Sequence, residues 1–307
     1  MGSPNQSKNP VKSFVRNSVA NFLYYMPKKM TRAIWFTVQH GYRMNFSAPK
    51  TLDEKLNWLL ANYIGREHAV YADKIAVRDF VAGKGLGNLL PEVYGIWSHT
   101  GEIPLDQLPD QFILKCNHAS GEKYYEIVRD KSLVDWPTVL KRLEKMLHRN
   151  YAKTRCEYQY GYITPCVYAE ELLDDGRDVR MTDYKVYCFY GKPYCVMTCT
   201  DRNTDLKTFF YDLDWNHLDY EQGVSPMETV IERPNGLPVM LEAAAVLSQS
   251  LPFARVDFYD VDGKVYFGEI TLTPANCQLA YINEKGQKIL GELLDLEPVR
   301  SGRGGRI

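Results

Sequence analysis

Two carboxylates near the C-terminal end, Asp257 and Glu269, sit in adjoining apolar-rich segments, Ala254–Tyr259 and Lys264–Leu272, separated by Asp262-Gly263. An Asp-Gly pair between runs of β-branched and aromatic residues signals a hairpin. Whether the carboxylates can act together depends on register, because side chains alternate between the faces of a strand. A plain two-residue turn puts them on opposite faces. A three-residue loop of Val261, Asp262 and Gly263, with the glycine left-handed, pairs Asp260 with Lys264 and sets Asp257 against Phe267, with Glu269 as the diagonal neighbour. In that register Ala254, Val256, Phe258, Tyr266, Gly268, Ile270 and Leu272 form the core face. The other face carries Arg255, Asp257, Tyr259, Phe267, Glu269 and Thr271. Diagonal neighbours lie roughly 7–8 Å apart, within reach of one shared cation. Asp257, Glu269 and the Thr271 hydroxyl are the hard oxygen ligands that magnesium takes, with substrate phosphates completing the octahedron. Arg255 beside them can hold a phosphate or a developing oxyanion. The same residues also read as an Arg–Asp–Glu salt-bridge network on a solvated face, and the hairpin alone leaves both readings open.

Upstream, Lys115 stands on a strand expected over Gln111–Cys116, just before the polar loop Asn117–Lys123. Such a loop can fold over phosphates with its backbone N–H groups while the lysine supplies charge. Ala169-Glu170-Glu171-Leu172-Leu173 reads as a strand edge able to hydrogen-bond a purine, and Asp183-Tyr184-Lys185 opens another strand.

These residues need a scaffold, and the chain supplies one. Thr51-x-x-Glu54 is a capping box opening a helix with Leu52, Leu56, Leu59 and Tyr63 on one face. Asp73 reads as the N-cap of a second helix with Lys74 in its first turn. Gly83, Gly85 and Gly87 follow no strand and read as a helix exit rather than a phosphate loop. Helices are expected over Asp135–His148 and Leu237–Ser250, and strands over Tyr124–Arg129, Pro165–Leu173, Asp183–Tyr190 and Tyr194–Thr200, the last two joined at Gly191-Lys192. Helices mixed with hairpins indicate an α+β body with largely antiparallel sheet.

Composition narrows the class. With 307 residues, 45 % apolar and 24 % charged, the chain is ordinary for a globular protein. No run approaches the roughly 20 apolar residues of a bilayer span, and no signal peptide is expected, because Asn, Ser and Lys break the early apolar stretches. The seven cysteines contain no C-x-x-C pair, so neither zinc nor a disulfide framework is expected, and Cys195 and Cys199 read as buried thiols. A reducing, cytoplasmic compartment follows as the expectation. Residues 1–50 hold eight Lys or Arg and no Asp or Glu, which leaves 29 basic against 38 acidic residues in the rest. The asymmetry points to an attached basic arm, and no nucleic-acid partner is expected. Val11, Phe14, Val15, Ser18, Val19, Phe22 and Leu23 follow the helical period, flanked by Lys12, Arg16, Lys28, Lys29 and Arg32. A basic amphipathic helix over residues 11–32 can lie peripherally on an anionic membrane or pack on the protein's own body.

Taken in order, Pro49–Leu56, Asp73-Lys74, Leu114–His118, Asp201-Arg202, Phe210–Trp215 and Arg255–Pro274 resemble segments of the ATP-grasp superfamily, in its TupA-like branch, named for teichuronopeptide synthesis. The resemblance spans roughly residues 45–290. It implies an ATP-grasp fold, α+β, with the nucleotide cleft between two α+β lobes of largely antiparallel sheet. The implied division is a basic amphipathic arm over 1–45, a helical, substrate-side region over 46–110, a lobe with the phosphate-covering loop over 111–173, a lobe with the magnesium hairpin over 174–295, and a flexible tail over 296–307. It further implies that Lys74 and Lys115 contact phosphates or adenine, that Ser120 and Gly121 lie in the flexible loop, and that Glu170, Glu171, Leu172 and Leu173 line the adenine pocket. Asp257 and Glu269 become ligands of Mg2+, Arg255 faces the reacting phosphoryl or acyl centre, and Lys185 is a further phosphate contact with a catalytic role. Two departures stand out. The loop has Ala119 where such loops often carry a second glycine, and Thr271 replaces the metal-binding Asn of many ATP-grasp enzymes.

The implied chemistry is ATP-dependent ligation of a carboxylate to an amine through an acyl phosphate, in cell-surface polysaccharide synthesis of the capsular or teichuronic type. The partners would be a small-molecule, or lipid- or nucleotide-linked, sugar carboxylate and an amine. A kinase passing phosphate to a sugar or polyol hydroxyl, or a non-catalytic nucleotide-binding module, are the competing readings.

Overall fold

The computed structural model describes residues 19–173, 181–200, 207–223 and 231–302. The early part of the amphipathic stripe (Val11 to Ser18), the Asp201-Arg202 pair and the last tail residues, 303–307, lie outside the described residues.

Two antiparallel sheets carry the molecule. The smaller contains β1 (Val93–Trp97), β2 (Phe112–Cys116), β3 (Tyr125–Val128) and β4 (Val167–Glu170), in the order β1-β4-β2-β3. The larger contains β5 (Asp183–Phe189), β6 (Lys192–Thr200), β7 (Lys207–Tyr211), β8 (His217–Leu218), β9 (Phe253–Val261) and β10 (Lys264–Thr271), in the order β10-β9-β5-β6-β7-β8. With helices packed against both, the class is α+β, as expected.

The helices bear out the capping and periodicity signals. In α1 (Lys28–His40) and α2 (Leu52–Asn62) the chain forms an antiparallel pair. Thr51 and Glu54 close the capping box, and α2 buries Leu52, Leu56 and Leu59, each worth about 2 kcal/mol of apolar transfer. Asp73 Oδ1 accepts from the N–H groups of Ile75 (2.9 Å) and Ala76 (3.3 Å) at the start of α3 (Ala76–Gly83). The helix therefore begins three residues after Asp73, and Lys74 lies ahead of its first turn. The glycines beyond it do form the helix exit, with Gly85 at φ 79°. Against the smaller sheet, α4 (Trp136–Leu147) buries Val139, Leu143, Met146 and Leu147 on Phe112, Leu114, Val167 and Ala169. Behind the larger sheet, α5 (Leu237–Ser248) sets Met240, Ala243, Ala244 and Leu247 into the main core. Finally α6 (Glu284–Leu293) crosses the start of α2 so closely that a Cβ on Gly291 would lie 2.3 Å from the Lys50 carbonyl oxygen.

Three expectations are corrected. The strand expected to run to Leu173 ends at Glu170, and β4 lies between β1 and β2, so it is not an edge. The β5–β6 turn is Tyr190-Gly191, both left-handed, with Phe189 paired to Lys192. The third correction is the register of β9–β10, which shapes the site.

The basic arm, where described, packs on the body. Arg32 is fully buried: Nε and Nη2 donate to Asn57 Oδ1 (2.8 and 2.6 Å), Nη1 to Asn276 Oδ1 (3.0 Å) and Nη2 to the Asn276 carbonyl (2.9 Å). Lys28 donates to the Ile64 carbonyl (3.3 Å) and lies over the Tyr158 ring. Arg32 thus ties α1 to a stretch after β10 where Ala275, Asn276 and Cys277 are all left-handed (φ 47°, 59°, 59°), a conformation costly for residues with a side chain. Among the described residues no helix is long and apolar enough to cross a membrane. Cys195 and Cys199 are buried thiols.

Candidate functional site

The hairpin turn is Asp262-Gly263 itself, both left-handed, with Lys264 paired to Val261, the mirror-image turn that Asp-Gly favours. The three-residue loop is therefore absent. Carried straight on, this pairing would set Glu269 opposite Val256, on the core side. A β-bulge intervenes: Phe267 pairs with Phe258, Gly268 is the extra residue, and Glu269 pairs with Asp257. One inserted residue inverts the alternation beyond it, so Asp257 and Glu269 are direct cross-strand neighbours rather than diagonal ones. The expected faces change accordingly. Tyr266 joins Tyr259, while Phe267 goes to the core with Phe258. Gly268 fits because a Cβ there would lie 3.0 Å from the Asp257 carbonyl oxygen.

Across β5, β9 and β10 this creates two rungs on one face. One holds Lys185, Asp257 and Glu269, and the other Tyr187, Arg255 and Thr271. Arg255 Nε donates to Asp257 Oδ1 and Nη2 to Asp257 Oδ2 (both 2.7 Å); Nη2 also reaches Glu269 Oε1 (3.0 Å). Lys185 Nζ donates to Asp257 Oδ2 and lies 3.7 Å from Asp183 Oδ1. Thr271 Oγ1 donates to Glu269 Oε1 (2.8 Å) and accepts from Arg255 Nη2 (3.2 Å). The salt-bridge network considered from sequence thus exists, on a buried face rather than a solvated one. Asp257 is 3 % exposed, whereas the Glu269 side chain keeps 39 % exposure, which opens the network on one side.

The two carboxyls respond differently to this setting. Burial raises the Asp257 pKa, with Arg255 and Lys185 opposing and Glu269 reinforcing the rise. Glu269 is also opposed by desolvation, but Lys74, Arg255 and Lys185 together outweigh it and hold the group down to about 2. Arg255 loses stability as a cation by burial and more than regains it from Asp257 and Glu269.

From the smaller sheet, Lys115 Nζ bonds Glu170 Oε1 (2.5 Å), and Arg78 Nη1 lies 3.4 Å from Glu170 Oε2. The Glu170 side chain is thereby neutralised. Glu171 bonds Glu92 through both its backbone and its side chain, and Leu172 and Leu173 continue past the strand as half-buried coil. The phosphate-loop candidate is anchored by Asn117, whose Nδ2 donates to Asp73 Oδ1 (2.9 Å) and the Thr164 carbonyl (3.0 Å), while Oδ1 accepts from Cys166 N–H (2.8 Å). Beyond it the tip turns exposed at Ser120, whose Oγ bonds Tyr151 Oη (2.7 Å), and Gly121 is left-handed at φ 105°.

Lys74 joins the two halves. Its Nζ donates to the Ala119 carbonyl (2.8 Å), and among the described residues no carboxylate lies within ion-pair distance of it. Burial lowers its pKa, Lys115 adds to that, and Glu269, Asp73 and Glu170 oppose it. A half-buried ammonium that donates to a carbonyl is a ready anion contact. The structure therefore gathers Lys74, Lys115, Lys185, Arg255, Asp257, Glu269 and Thr271 around a common region.

Sequence reading missed Arg78, and it missed the segment Glu157–Tyr162. Glu157 accepts from Thr273 Oγ1 (2.6 Å), and Tyr160 packs on Tyr151 and feels both Glu269 and Arg255. The tyrosine-rich run YQYGY was the available signal.

Asp257 and Glu269, two carboxylates on one rung, are the donor type a hard divalent cation takes, once Arg255 and Lys185 release the Asp257 oxygens they bond. Among the described residues no group of three His, Cys, Asp or Glu could hold a metal by itself, so such a cation needs oxygens from a ligand. Thr271 already bonds Glu269 and Arg255, which leaves its hydroxyl little capacity for a metal.

The family model of TupA-like ATP-grasp proteins matches residues 54–295. Among solved structures, the D-alanine–D-alanine ligase of Bacillus anthracis complexed with ATP is similar at a TM-score of 0.50 and 14 % identity, over 98 % of this chain and 97 % of that one. A second structure of that ligase gives 0.46 and 18 %, over 78 % of this chain and 70 % of that one. An ADP complex of N5-carboxyaminoimidazole ribonucleotide synthetase gives 0.43 and 11 %, over 67 % and 46 %. No curated protein matches the chain.

Proposed function

The chain belongs to the TupA-like ATP-grasp family, and on that premise we propose that it is an ATP-dependent ligase joining a carboxylate to an amine. The observation that carries the reading is the bulged hairpin, which puts Asp257 and Glu269 on one rung beside Lys185 and Arg255, facing Lys74 from the other half. Positioning and electrostatic stabilisation are the main tasks in phosphoryl transfer, and a site of preorganised cations suits them.

In this reading Lys74 and Lys115 bind phosphate oxygens, and the Ser120–Gly121 tip covers them with backbone N–H groups. The coil Glu171–Leu173 borders the adenine, with Glu170 holding Lys115 in place. Asp257 and Glu269 would hold Mg2+, which when bound neutralises phosphate charge. Lys185 orients Asp257 and contacts phosphate, and Arg255 turns from the carboxylates to the charge developing at the reacting carboxylate. Attack of that carboxylate on the terminal phosphorus releases ADP; the amine then displaces phosphate and leaves an amide. Burial of Asp257 and Arg255 keeps water from that reacting centre. The branch suggests a sugar acid of cell-surface polysaccharide as acceptor, lipid- or nucleotide-linked. Peripheral contact of residues 11–32 with an anionic membrane would bring the enzyme to a lipid-linked one.

Incubation with ATP, Mg2+ and panels of uronic acids and amines, with ADP and phosphate followed, tests this. Turnover should require both an acid and an amine. Phosphorylation of a hydroxyl compound without amine dependence makes the protein a kinase instead, and indifference to every acid–amine pair refutes the ligase.

A further inference from the structure

The N-terminal helix α1 buries Phe36 yet turns a second set of apolar side chains to the surface. It buries Arg32 completely and exposes Met30 (51 %), Ile34 (37 %) and Val38 (76 %), which stack at i, i+4 and i+8 along one stripe. The usual surface helix keeps polar residues on such a stripe. Just before it, Phe22 (70 %) and Tyr25 (73 %) are also exposed. Exposed apolar groups gathered in one short segment mark an interaction surface.

The charges that the N-terminal segment itself carries have one sign, while nearby Glu144 pairs with His148 (3.1 Å) and Glu67 acts on Lys28. No Asp or Glu occurs before Asp53, which is itself buried, while Lys29 and Arg43 are exposed. Beside residues 21–25 lies a cavity of about 300 Å³ lined by Asn21, His148, Arg149, Asn150, Lys153 and Thr154. Lys153 Nζ donates to Tyr25 Oη and lies 4.9 Å from the centroid of that ring, so the cavity and the exposed aromatics adjoin.

We propose that this face docks on an anionic lipid leaflet, with Phe22, Tyr25, Met30, Ile34 and Val38 entering the interfacial layer and Arg149 and Lys153 meeting lipid phosphate. Apolar insertion and cation–headgroup attraction act together in such contacts. A second copy is the weaker occupant, since an isologous contact would bring two cation-rich faces, each with Lys29, Arg43, Arg149 and Lys153, together. The preceding residues add Lys8, Lys12 and Arg16 with no acid, which also suits lipid rather than protein. The ligase reading supplies the purpose of docking, a lipid-linked acceptor, but docking itself needs neither ATP nor substrate.

Vesicle co-sedimentation of the full chain, without nucleotide, decides the matter independently of any activity. Phosphatidylcholine–phosphatidylglycerol vesicles should bind it about tenfold more strongly than phosphatidylcholine alone, and raised salt should weaken the binding. The combined Met30→Gln, Ile34→Gln and Val38→Gln variant should lose about tenfold in partition with an unchanged melting temperature, because all three side chains are exposed. Arg149→Gln with Lys153→Gln should reduce only the preference for anionic lipid. Failure of the parent chain to sediment with either vesicle overturns the proposal, and so does equal binding by the triple variant. A concentration-dependent dimer abolished by the triple variant would assign the face to a second copy.

Discussion

The two sheets bring charge to the same region by different means. In the larger, Lys185, Asp257, Glu269 and Arg255 are rung neighbours on three adjacent strands, fixed by backbone hydrogen bonds and a bulge. In the smaller, a single pair, Lys115 with Glu170, stands on strands, while the rest of the contribution hangs on a loop pinned by Asn117 and exposed from Ser120 to Lys123. Register holds a group to a fraction of an ångström, whereas a loop can open and close. The expected division is that the larger sheet fixes charge for the reacting centre and the smaller one admits and covers the phosphates.

Breaking the register half should cost most. Asp257→Asn removes the charge that Lys185 and Arg255 share, and ADP release should fall at least about a hundredfold. Leaving two buried cations short of a partner should also lower stability by about 3–5 kcal/mol in chemical unfolding. An unaffected rate would remove Asp257 from the site. Gly268→Ala tests the bulge itself, since the new methyl would meet the Asp257 carbonyl at 3.0 Å and Tyr259 at 3.3 Å. A stability loss of about 1–3 kcal/mol is expected, with turnover reduced about tenfold as Glu269 shifts. If neither changes, the rung geometry is more tolerant than proposed.

In the loop half the effects should fall on binding. Asn117→Ala deletes three side-chain hydrogen bonds of the anchor, and the KM for ATP should rise several-fold with kcat little changed. A pure loss of kcat would mean that the loop belongs to the chemistry. The smallest effect concerns pH. Burial, helped by Lys74, lowers the His118 pKa below the ordinary value of about 6.5. A base depressed in the folded state adds stability that is complete above the unfolded value and is lost as pH falls from there towards the folded value. His68 is depressed by burial in the same direction. The melting temperature should therefore decline as pH drops below about 6.5, and His118→Gln should flatten part of that decline. An identical slope in the variant would exclude His118 as a source.

Local signals were legible because their causes are local. Thr51 and Glu54 cap α2 as their spacing requires, and Asp262-Gly263 makes the turn. Asp257 and Glu269 were read onto one face correctly but through the wrong loop. The cue was Gly268, since a glycine inside a strand pattern often marks a bulge. Position in a sheet is a different matter. Nothing in Val167–Glu170 tells that β4 is interior, because its neighbours β1 and β2 lie more than fifty residues away. Arg32 reads from sequence as one more cation of a basic arm. Its burial depends on Asn57 and Asn276, and the second of these is 244 residues distant.

That distance bears on how the molecule comes into being. During synthesis from the N-terminus, α1 emerges 244 residues ahead of the carbonyl and amide of Asn276 that satisfy its guanidinium. Until Asn276 follows, Arg32 has Asn57 alone of these two partners. The Ala275–Cys277 stretch keeps its local bonds to Thr273 and Pro274 and one from Asn57, but gains its Arg32 contacts only when α1 is docked. Contacts of such long sequence separation form late and slowly. Completion of the loop that follows the carboxylate hairpin is therefore coupled to a helix made long before it, and a fragment lacking residues 270–302 should leave α1 open to protease while α4 and the smaller sheet already resist it.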